Sequence, residues 1–322
     1  MTYRNLLRWG AALLSMPLIQ TNAWAAWPDD RPIEVIVGFA PGGSTDVMAR
    51  AIAPYIQKHL GGKVQLVIVN KPGASGELAV SQMQRAQPDG YTLAIVNLPG
   101  YFFLPMYRHT SYDPAAIALV ARVVSDPTVL AARKDKGPHD LDAVINALRT
   151  KPGALSAGHN GIGTNGHLAM VRMQNATKVQ FNAIPYKGTA EQKVNLGGGH
   201  LDLAFVAASE VQTREAEAVP LQLIAQFSEQ RSPSLPDVPT TFELGMKVDM
   251  TAERGFAMPR GTPPLIRERL GKAVEAAMRD PDYLKAAKFD VPFLSFMNGP
   301  DWEQRIEQER KIYAPLAQEV KQ

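Results

Sequence analysis

The stretch from Val35 to Asp46 constrains the fold of this chain most, because it joins an apolar run, a glycine-rich turn and a helix start. The turn Gly38–Gly43 opens a helical pattern of apolar residues that runs from Met48 to Leu60. A junction of strand, tight turn and helix directs unpaired backbone N–H groups and the positive end of the helix dipole at one place. The stretch therefore predicts an anion-binding turn, and the alternative is an ordinary α/β turn that binds nothing.

Alternating strand and helix patterns fill two segments of the chain, which at 322 residues is long enough for two domains. The first segment covers residues 26–125 and the second begins near residue 141. In both, the order of elements is typical of a mostly parallel sheet with helices on both faces. We therefore predict an α/β fold with two doubly wound lobes, a hinge and an interlobe cleft.

Two apolar tracks mark the places where the chain is expected to cross between the lobes. The first track covers residues 117–133 and is interrupted by Asp126-Pro127, and the second covers residues 221–227. The first lobe is thus predicted to be discontinuous. It would consist of residues 26–124 and 228–322, and the second lobe would span residues 125–227.

The N-terminal residues 1–25 have the three parts of a cleaved secretory signal. Arg4 and Arg8 are positively charged, the apolar run Gly10–Ile19 is short for a membrane span, and Ala23-Trp24-Ala25 supplies small residues before a cleavage site. The alternative is an N-terminal membrane anchor. The chain has no cysteine, which suits export to a periplasm without oxidative folding. Because the formal charge of +3 includes these two arginines, the mature chain would carry about +1, which does not favour nucleic acid as a partner.

A second glycine-rich turn, His159–His167, also lies between a predicted strand and a predicted helix. Its Gly161, Gly163 and Gly166 match the dinucleotide-binding pattern G-x-G-x-x-G, but an isolated match is weak. That pattern also needs an acidic residue at the end of the next strand, and here the strand ends in Ile184-Pro185-Tyr186-Lys187. A dinucleotide site is therefore the less favoured alternative, and neither turn contains the Gly-Lys-Ser/Thr of a P-loop.

The two turns together predict a clamp for a small carboxylate. Both follow the carboxyl ends of strands, which is where ligands bind in doubly wound sheets. Each charge-assisted hydrogen bond from a backbone N–H to a carboxylate contributes roughly 1.5–3 kcal/mol. Three or four such bonds, less the cost of ordering, would give about 8 kcal/mol, which is a micromolar affinity.

Several short motifs occur in a specific order from about Trp27 to the C-terminus. They are Phe39–Asp46 with Ala49-Arg50, Asn70–Ala74, Pro88–Leu93, Ser111–Pro114, Gly161–Thr164 with His167–Ala169, Pro185–Gly188, Gly198–Asp202 and Leu235–Thr240. Together they resemble the Bug (Bordetella uptake gene) family, the periplasmic solute-binding proteins of tripartite tricarboxylate transporters. The resemblance implies a fold of the periplasmic-binding-protein type that closes on an organic acid and delivers it to membrane permease subunits.

The resemblance also implies roles for individual residues. The grip of the first lobe would be Phe39, Gly42, Gly43, Ser44 and Thr45, and that of the second lobe Gly161, Gly163, Thr164 and Asn165. Departures from the family pattern mark the distal part of the pocket, at Asn97, His159, Asn160 and Ala208. The loop after Val96 also carries Tyr101, Phe102, Phe103 and Tyr107, which favours a bulkier, even aromatic, acid. Asp46 would repel an anion, so we expect it to stabilise the first helical turn instead.

No residue pattern predicts catalysis or metal binding. The six histidines lack a ligand spacing, although His159 and His167 flank one turn and leave a zinc pair as a remote alternative. The chain has no G-x-S-x-G motif of a serine hydrolase. We therefore predict a monomeric binding protein with no enzymatic activity, cofactor or metal. Its partners would be a small carboxylated solute and a permease, and the alternative is an exported α/β enzyme that binds a nucleotide or phosphorylated substrate at the glycine turns.

Overall fold

The computed structural model describes residues 27–211, 221–287 and 291–320. The predicted signal sequence and most of a helix predicted over Ser209–Ala218 lie outside these ranges. Within them, no helix is both long enough and apolar enough to cross a membrane.

One sheet of ten strands runs through the described part of the chain, in the order β2-β1-β3-β9-β4-β7-β5-β6, and β8 and β10 also pair with β4. The strands are β1 (Ile33–Val37), β2 (Leu66–Asn70), β3 (Thr92–Leu98), β4 (Ile117–Arg133), β5 (Ser156–His159), β6 (Asn182–Pro185), β7 (Leu203–Ala207), β8 (Leu221–Gln226), β9 (Thr251–Pro259) and β10 (Leu294–Asn298). The two flanks of the sheet are parallel, and the central strands are antiparallel to their neighbours.

Helices cover the sheet and connect its strands. They are α1 (Ser44–Leu60), α2 (Glu77–Gln84), α3 (Gly100–Tyr107), α4 (Leu141–Thr150), α5 (Asn165–Thr177), α6 (Thr189–Gly198), α7 (Ala208–Val211), α8 (Pro264–Met278), α9 (Pro281–Ala286) and α10 (Gly299–Val320). Short 3₁₀ turns lie at Ala74–Gly76, Pro114–Ala116 and Val291–Phe293. The alternation of strands and helices confirms the predicted α/β class.

The long strand β4 joins the two halves of the sheet, which we call the first lobe (β1–β3, β9 and β10) and the second lobe (β5–β8). It pairs with β9 up to Pro127 and with β7 and β8 from Thr128 onward. Asp126-Pro127 was expected to interrupt this track, but the strand continues through it. Proline removes only its own N–H, and Pro127 lies at the end of the β9 ladder, opposite Thr251.

Residues 221–227, the predicted return crossing, contain strand β8. Strand β8 pairs antiparallel with β4 inside the second lobe. The chain returns through residues 228–250 and enters the first lobe in β9, which lies between β3 and β4. The residue boundaries proposed for the lobes remain a prediction.

The aromatic segment after β3 is a helix and not the loop expected from the sequence. Phe102 and Phe103 of α3 are fully buried, and Phe102 packs against Tyr313 of α10 with ring centroids 5.4 Å apart. Because every side of α3 is apolar, its sequence lacks the alternation of polar and apolar residues that reveals a surface helix.

Strand β1 is buried on both faces, which explains its continuous apolar run. Val35 and Val37 point to the face covered by Ile52 of α1 and Leu270 of α8, whereas Ile36 points to the opposite face. This packing fixes the end of β1, and with it the position of the first glycine turn.

Close packing of α5 on β7 makes one helical glycine indispensable. A Cβ at Gly166 would overlap the carbonyl oxygen of Phe205, whereas a Cβ at Gly271 of α8 would lie 3.5 Å from the nearest oxygen. We expect Gly166→Ala to lower the free energy of unfolding by about 1–3 kcal/mol because the backbone must shift. Gly271→Ala should raise it by about 0.5–1 kcal/mol through helix propensity. Denaturant unfolding measures both, and equal effects would contradict the packing argument.

Candidate functional site

A small cavity of about 30 Å³ lies between the two lobes, where both glycine turns end. It is lined by Phe39, Gly43, Ser44, Thr45, Ser75, Asn97, Leu98, Gly100, Asn160, Thr164, Asn165, Gly188, Thr189, Ala207, Glu210, Ala252 and Arg254. We call this space the inner cavity. It has room for about two water molecules.

The inner cavity collects the N-termini of four helices. The N-caps of α1, α5 and α6 are Gly43, Thr164 and Gly188, and α3 begins at Gly100. Among the described residues, no side chain accepts a capping hydrogen bond at the N-cap of any of these four helices. Their first N–H groups therefore remain available, and their dipoles add positive potential at one point. Such a convergence is suited to an anion.

The first glycine turn is held by Asp46, which is buried in the first turn of α1. Its Oδ2 accepts a hydrogen bond from the N–H of Gly42 at 3.0 Å, and its Oδ1 accepts from Arg50 at 2.9 Å and Asn70 at 2.8 Å. Burial alone would raise the pKa of Asp46, but the bonds from Arg50, Gly42 and Asn70 hold that pKa below its usual value. Asp46 thus stabilises the turn, and the N–H of Gly42 is already used.

Two buried histidines hold the second turn. The Nδ1 atom of His159 accepts from the N–H of Gly161 at 3.1 Å, and Nδ1 of His167 accepts from the N–H of Gly163 at 3.4 Å. Their rings lie 4.9 Å apart. Burial lowers the pKa of both, that of His167 to about 3 with a further contribution from His159. Both rings are therefore neutral at pH 7, as hydrogen-bond acceptors must be.

These neutral histidines make stability depend on pH. Below the ordinary pKa of about 6.5 the unfolded chain takes up protons that the folded chain rejects, so stability falls as the pH drops towards 3. We expect a contribution of His167 of about 1.4 kcal/mol per pH unit within this window. Unfolding free energies measured from pH 7 to pH 4 should fall less steeply in a His167→Gln variant. Identical slopes in both proteins would contradict this.

The structure brings eight of the predicted site residues to the lining of the inner cavity. They are Phe39, Gly43, Ser44, Thr45, Asn97, Asn160, Thr164 and Asn165. Five others lie beside the cavity and not in its lining, namely Gly42, His159, Gly161, Gly163 and Ala208. The N–H groups of Gly42, Gly161 and Gly163 are used within the turns.

Gly161 has a second structural reason to be glycine. Its φ is +106°, and a Cβ there would lie 2.5 Å from the Oγ of Ser75. The second turn therefore approaches the 3₁₀ turn of the first lobe closely, which closes one side of the inner cavity.

A buried arginine reaches the inner cavity from β9. Arg254 is 1% exposed, and its Nη2 donates to Oδ2 of Asp126 at 2.9 Å. Asp126 also accepts from the N–H and the hydroxyl of Ser209. Burial raises the pKa of Asp126, and Arg254 and Ser209 oppose that rise. The Nη1 of Arg254 is buried and has no hydrogen-bond partner in the part of the chain that the structure describes, so it can donate to a bound anion.

A buried glutamate connects the two lobes at the same cavity. The Oε1 of Glu210 accepts from the hydroxyl of Ser44 in the first lobe at 2.5 Å and from that of Thr189 in the second at 2.7 Å. Its Oε2 accepts from the N–H of Ala207 at 2.9 Å. The side chain is 5% exposed. The chain thus places a carboxylate of its own among the helix N-termini.

The sequence patterns did not identify Arg254 and Glu210. A charged pair inside the apolar strand Thr251–Pro259 was an available signal, because charges in a buried strand need partners. Glu210 lies in helix α7 and not inside a buried apolar strand, and it gives no such signal. The aromatic residues Tyr101, Phe102 and Phe103 are absent from the lining, so the feature that favoured an aromatic acid belongs to the core.

A wider space of about 340 Å³, which we call the outer cavity, adjoins the inner one and shares Phe39, Ser75 and Asn160 with it. Lys187 and Glu191 of the second lobe also line it. Elsewhere, no cluster of three or more His, Asp or Glu residues is placed to hold a metal within residues 27–211, 221–287 and 291–320.

Comparison with known proteins agrees with this architecture. Residues 48–321 match the model of the tripartite tricarboxylate transporter family receptor, TctC. A UPF0065 protein from the gbd 5' region of Cupriavidus necator is 35% identical to this chain. The alignment covers 91% of this chain and 88% of the length of that protein. The structure of the periplasmic binding protein BugD superposes with a TM-score of 0.82 at 29% identity, over 90% of this chain and 97% of BugD. Rpa4515, an R. palustris protein solved with adipate, superposes with a TM-score of 0.83 at 27% identity. The superposition covers 91% of this chain and 97% of Rpa4515. The chain belongs to the TctC family of solute-binding receptors of tripartite tricarboxylate transporters.

Proposed function

We propose that this protein binds a small carboxylated solute in the inner cavity and delivers it to the permease of a tripartite transporter. The observation that carries this proposal is a convergence on one buried space. Four helix N-termini meet there with the Nη1 of Arg254, and none of them has a side-chain cap or partner among the residues that the structure describes. These groups donate hydrogen bonds and supply positive potential, which is what a carboxylate requires. The adipate bound to the R. palustris relative supports the same class of ligand.

The dimensions of the two cavities support capture by opening and closing of the lobes. The inner cavity, at about 30 Å³, is smaller than any dicarboxylic acid, so the lobes or the lining side chains must move apart to admit one. The outer cavity, at about 340 Å³, can hold the remainder of a ligand whose carboxylate enters the inner one. Glu210 and Ser44, which bond across the cleft, would separate during opening.

The cellular setting follows from the same proposal. Residues 1–25 would be removed during export, and the mature protein would act in the periplasm as a monomer. It would hold its ligand and release it unchanged to the permease subunits. N-terminal sequencing of protein from a periplasmic extract tests whether residues 1–25 are removed during export. Light scattering of the purified protein tests whether it is a monomer.

Titration calorimetry with the purified mature protein tests the ligand class. The panel contains adipate, malate and butanoate, with AMP and NAD as nucleotides for the alternative that the glycine turns bind a nucleotide. We expect at least one carboxylic acid to bind with a dissociation constant near 1 µM, about 8 kcal/mol. Binding of the nucleotides alone would overturn the proposal.

A further inference from the structure

We propose that the ligand carries a cationic nitrogen as well as its carboxylate, and that Glu210 is the residue that selects this nitrogen. This inference rests on the proposed function, because it assigns a second chemical group to a carboxylate that the same cavity binds. The ligand class is therefore an amino acid or a related aminocarboxylate and not a simple dicarboxylic acid.

The first argument is the charge of the site. Two buried ionisable groups, Glu210 and Arg254, line the inner cavity, and a third, Asp126, is bonded to Arg254 beside it. Asp126 already balances Arg254 through the 2.9 Å ion pair. Within the part of the chain that the structure describes, Glu210 has no cationic partner among its bonds, since it accepts there from two hydroxyls and a backbone N–H. A buried charge without a counter-charge is costly, and an ammonium group of the ligand would supply one.

The second argument is the pattern of unused hydrogen-bonding atoms. On the first lobe, the amide nitrogen of Asn97 donates to Thr45 at 2.8 Å, while its Oδ1 is buried without a donor in the part of the chain that the structure describes. On the second lobe, each oxygen of Glu210 can accept a further bond. The cavity therefore offers hydrogen-bond acceptors from both lobes to an N–H group of the ligand. Next to them, Arg254 and the helix N-termini offer hydrogen-bond donors to the carboxylate of the ligand.

The third argument is against a second carboxylate as the additional group of the ligand. A dicarboxylate that placed both of its carboxylates in the inner cavity would bring a second negative group into a space that already contains Glu210, and two carboxylates in one buried site repel each other. The helix N-termini can stabilise one ligand carboxylate, but Glu210 already bonds the hydroxyls at the start of α1 and α6. An ammonium group could approach Glu210 without displacing either hydroxyl.

Calorimetry with four acids built on butanoate, in which glutarate is butanoate with a carboxylate added at C4, tests the inference. Butanoate, 2-aminobutanoate, 4-aminobutanoate and glutarate differ in whether the chain carries no second group, an ammonium or a second carboxylate. For the unmodified mature protein we expect at least one aminocarboxylate to bind tenfold or more tightly than both butanoate and glutarate.

Variants of Glu210 then assign the preference to this side chain. Glu210→Gln should remove the preference, weakening the aminocarboxylate at least tenfold while leaving or improving binding of glutarate. Glu210→Asp retains the charge and should retain the preference at lower affinity, which separates the role of the charge from a loss of folding. Glu268→Gln, an exposed position on α8, is the matched control and should change none of the affinities.

The outcomes distinguish this inference from the proposed function. If glutarate or butanoate binds as tightly as both aminocarboxylates, or if Glu210→Gln keeps the preference, Glu210 does not select a cation and only the proposed function stands. If none of these acids and none of the earlier panel binds, both proposals are overturned. An aminocarboxylate preference that is lost in Glu210→Gln and kept in Glu210→Asp establishes the inference.

Discussion

Replacing Thr164 with Asp should abolish carboxylate binding while leaving the fold intact. Thr164 is the N-cap of α5 and lines the inner cavity with its side chain buried. Asp is as good an N-cap residue as Thr, so α5 should still form. Its carboxylate, however, would lie within a few ångströms of the ligand carboxylate, where two like charges repel by about 4 kcal/mol at an effective dielectric constant of 20. We expect affinity to fall at least about 100-fold by calorimetry.

Thr164→Asn is the control for this experiment. Asn has the shape of Asp and also caps helices, but it adds no charge. The affinity of Thr164→Asn for the acid that binds best in the calorimetric panel should stay within about tenfold of that of the unmodified protein. Equal loss of binding in both variants would mean that shape or folding, and not charge, caused the effect.

Removing the buried guanidinium should produce the largest loss of stability. Arg254→Met leaves the carboxylate of Asp126, which is fully buried, without its 2.9 Å ion pair. Breaking a buried pair from one side costs about 3–5 kcal/mol because the remaining charge is uncompensated. Denaturant unfolding of the mature protein measures this cost, and a loss below about 1 kcal/mol would contradict the role assigned to the pair.

The double variant Arg254→Met with Asp126→Asn separates stability from binding. With both charges removed, most of the lost stability should return, since the two substitutions act on one interaction. The double variant should nevertheless bind carboxylic acids more weakly, because the Nη1 donor of Arg254 is gone from the inner cavity. Full stability with unchanged affinity would show that Arg254 serves the fold alone.

The two glycine turns are the part of the site that sequence reasoning could find. Each lies directly after a strand and before a helix, so a local pattern contains all the information needed to place its backbone. Asp46 shows the same locality, because its partners include Gly42 and Arg50, each four residues away. Asp46 was expected to stabilise the first helical turn of α1, and its hydrogen bonds to Gly42 and Arg50 connect that turn to the residues on either side of it.

Contacts between residues far apart in the sequence could not be predicted from local patterns. Arg254 meets Asp126 across 128 positions, and Glu210 meets Ser44 across 166. The aromatic helix α3 gave a misleading signal, because a helix that is apolar on every side has no polar face to mark its period. The two histidines beside the second turn also serve the backbone of that turn, through hydrogen bonds that depend on ring orientation.

The sequence by itself determined that two strand–turn–helix units present backbone N–H groups, since glycine spacing and helix starts are local properties. Tertiary structure alone decided which charges accompany them. The pairing of β9 with β4 places Arg254 in the cavity, and helix α7 directs Glu210 across the cleft. Pairing between strands far apart in sequence depends on the whole packed sheet, so the charge balance of the site is a property of the fold and not of any one segment.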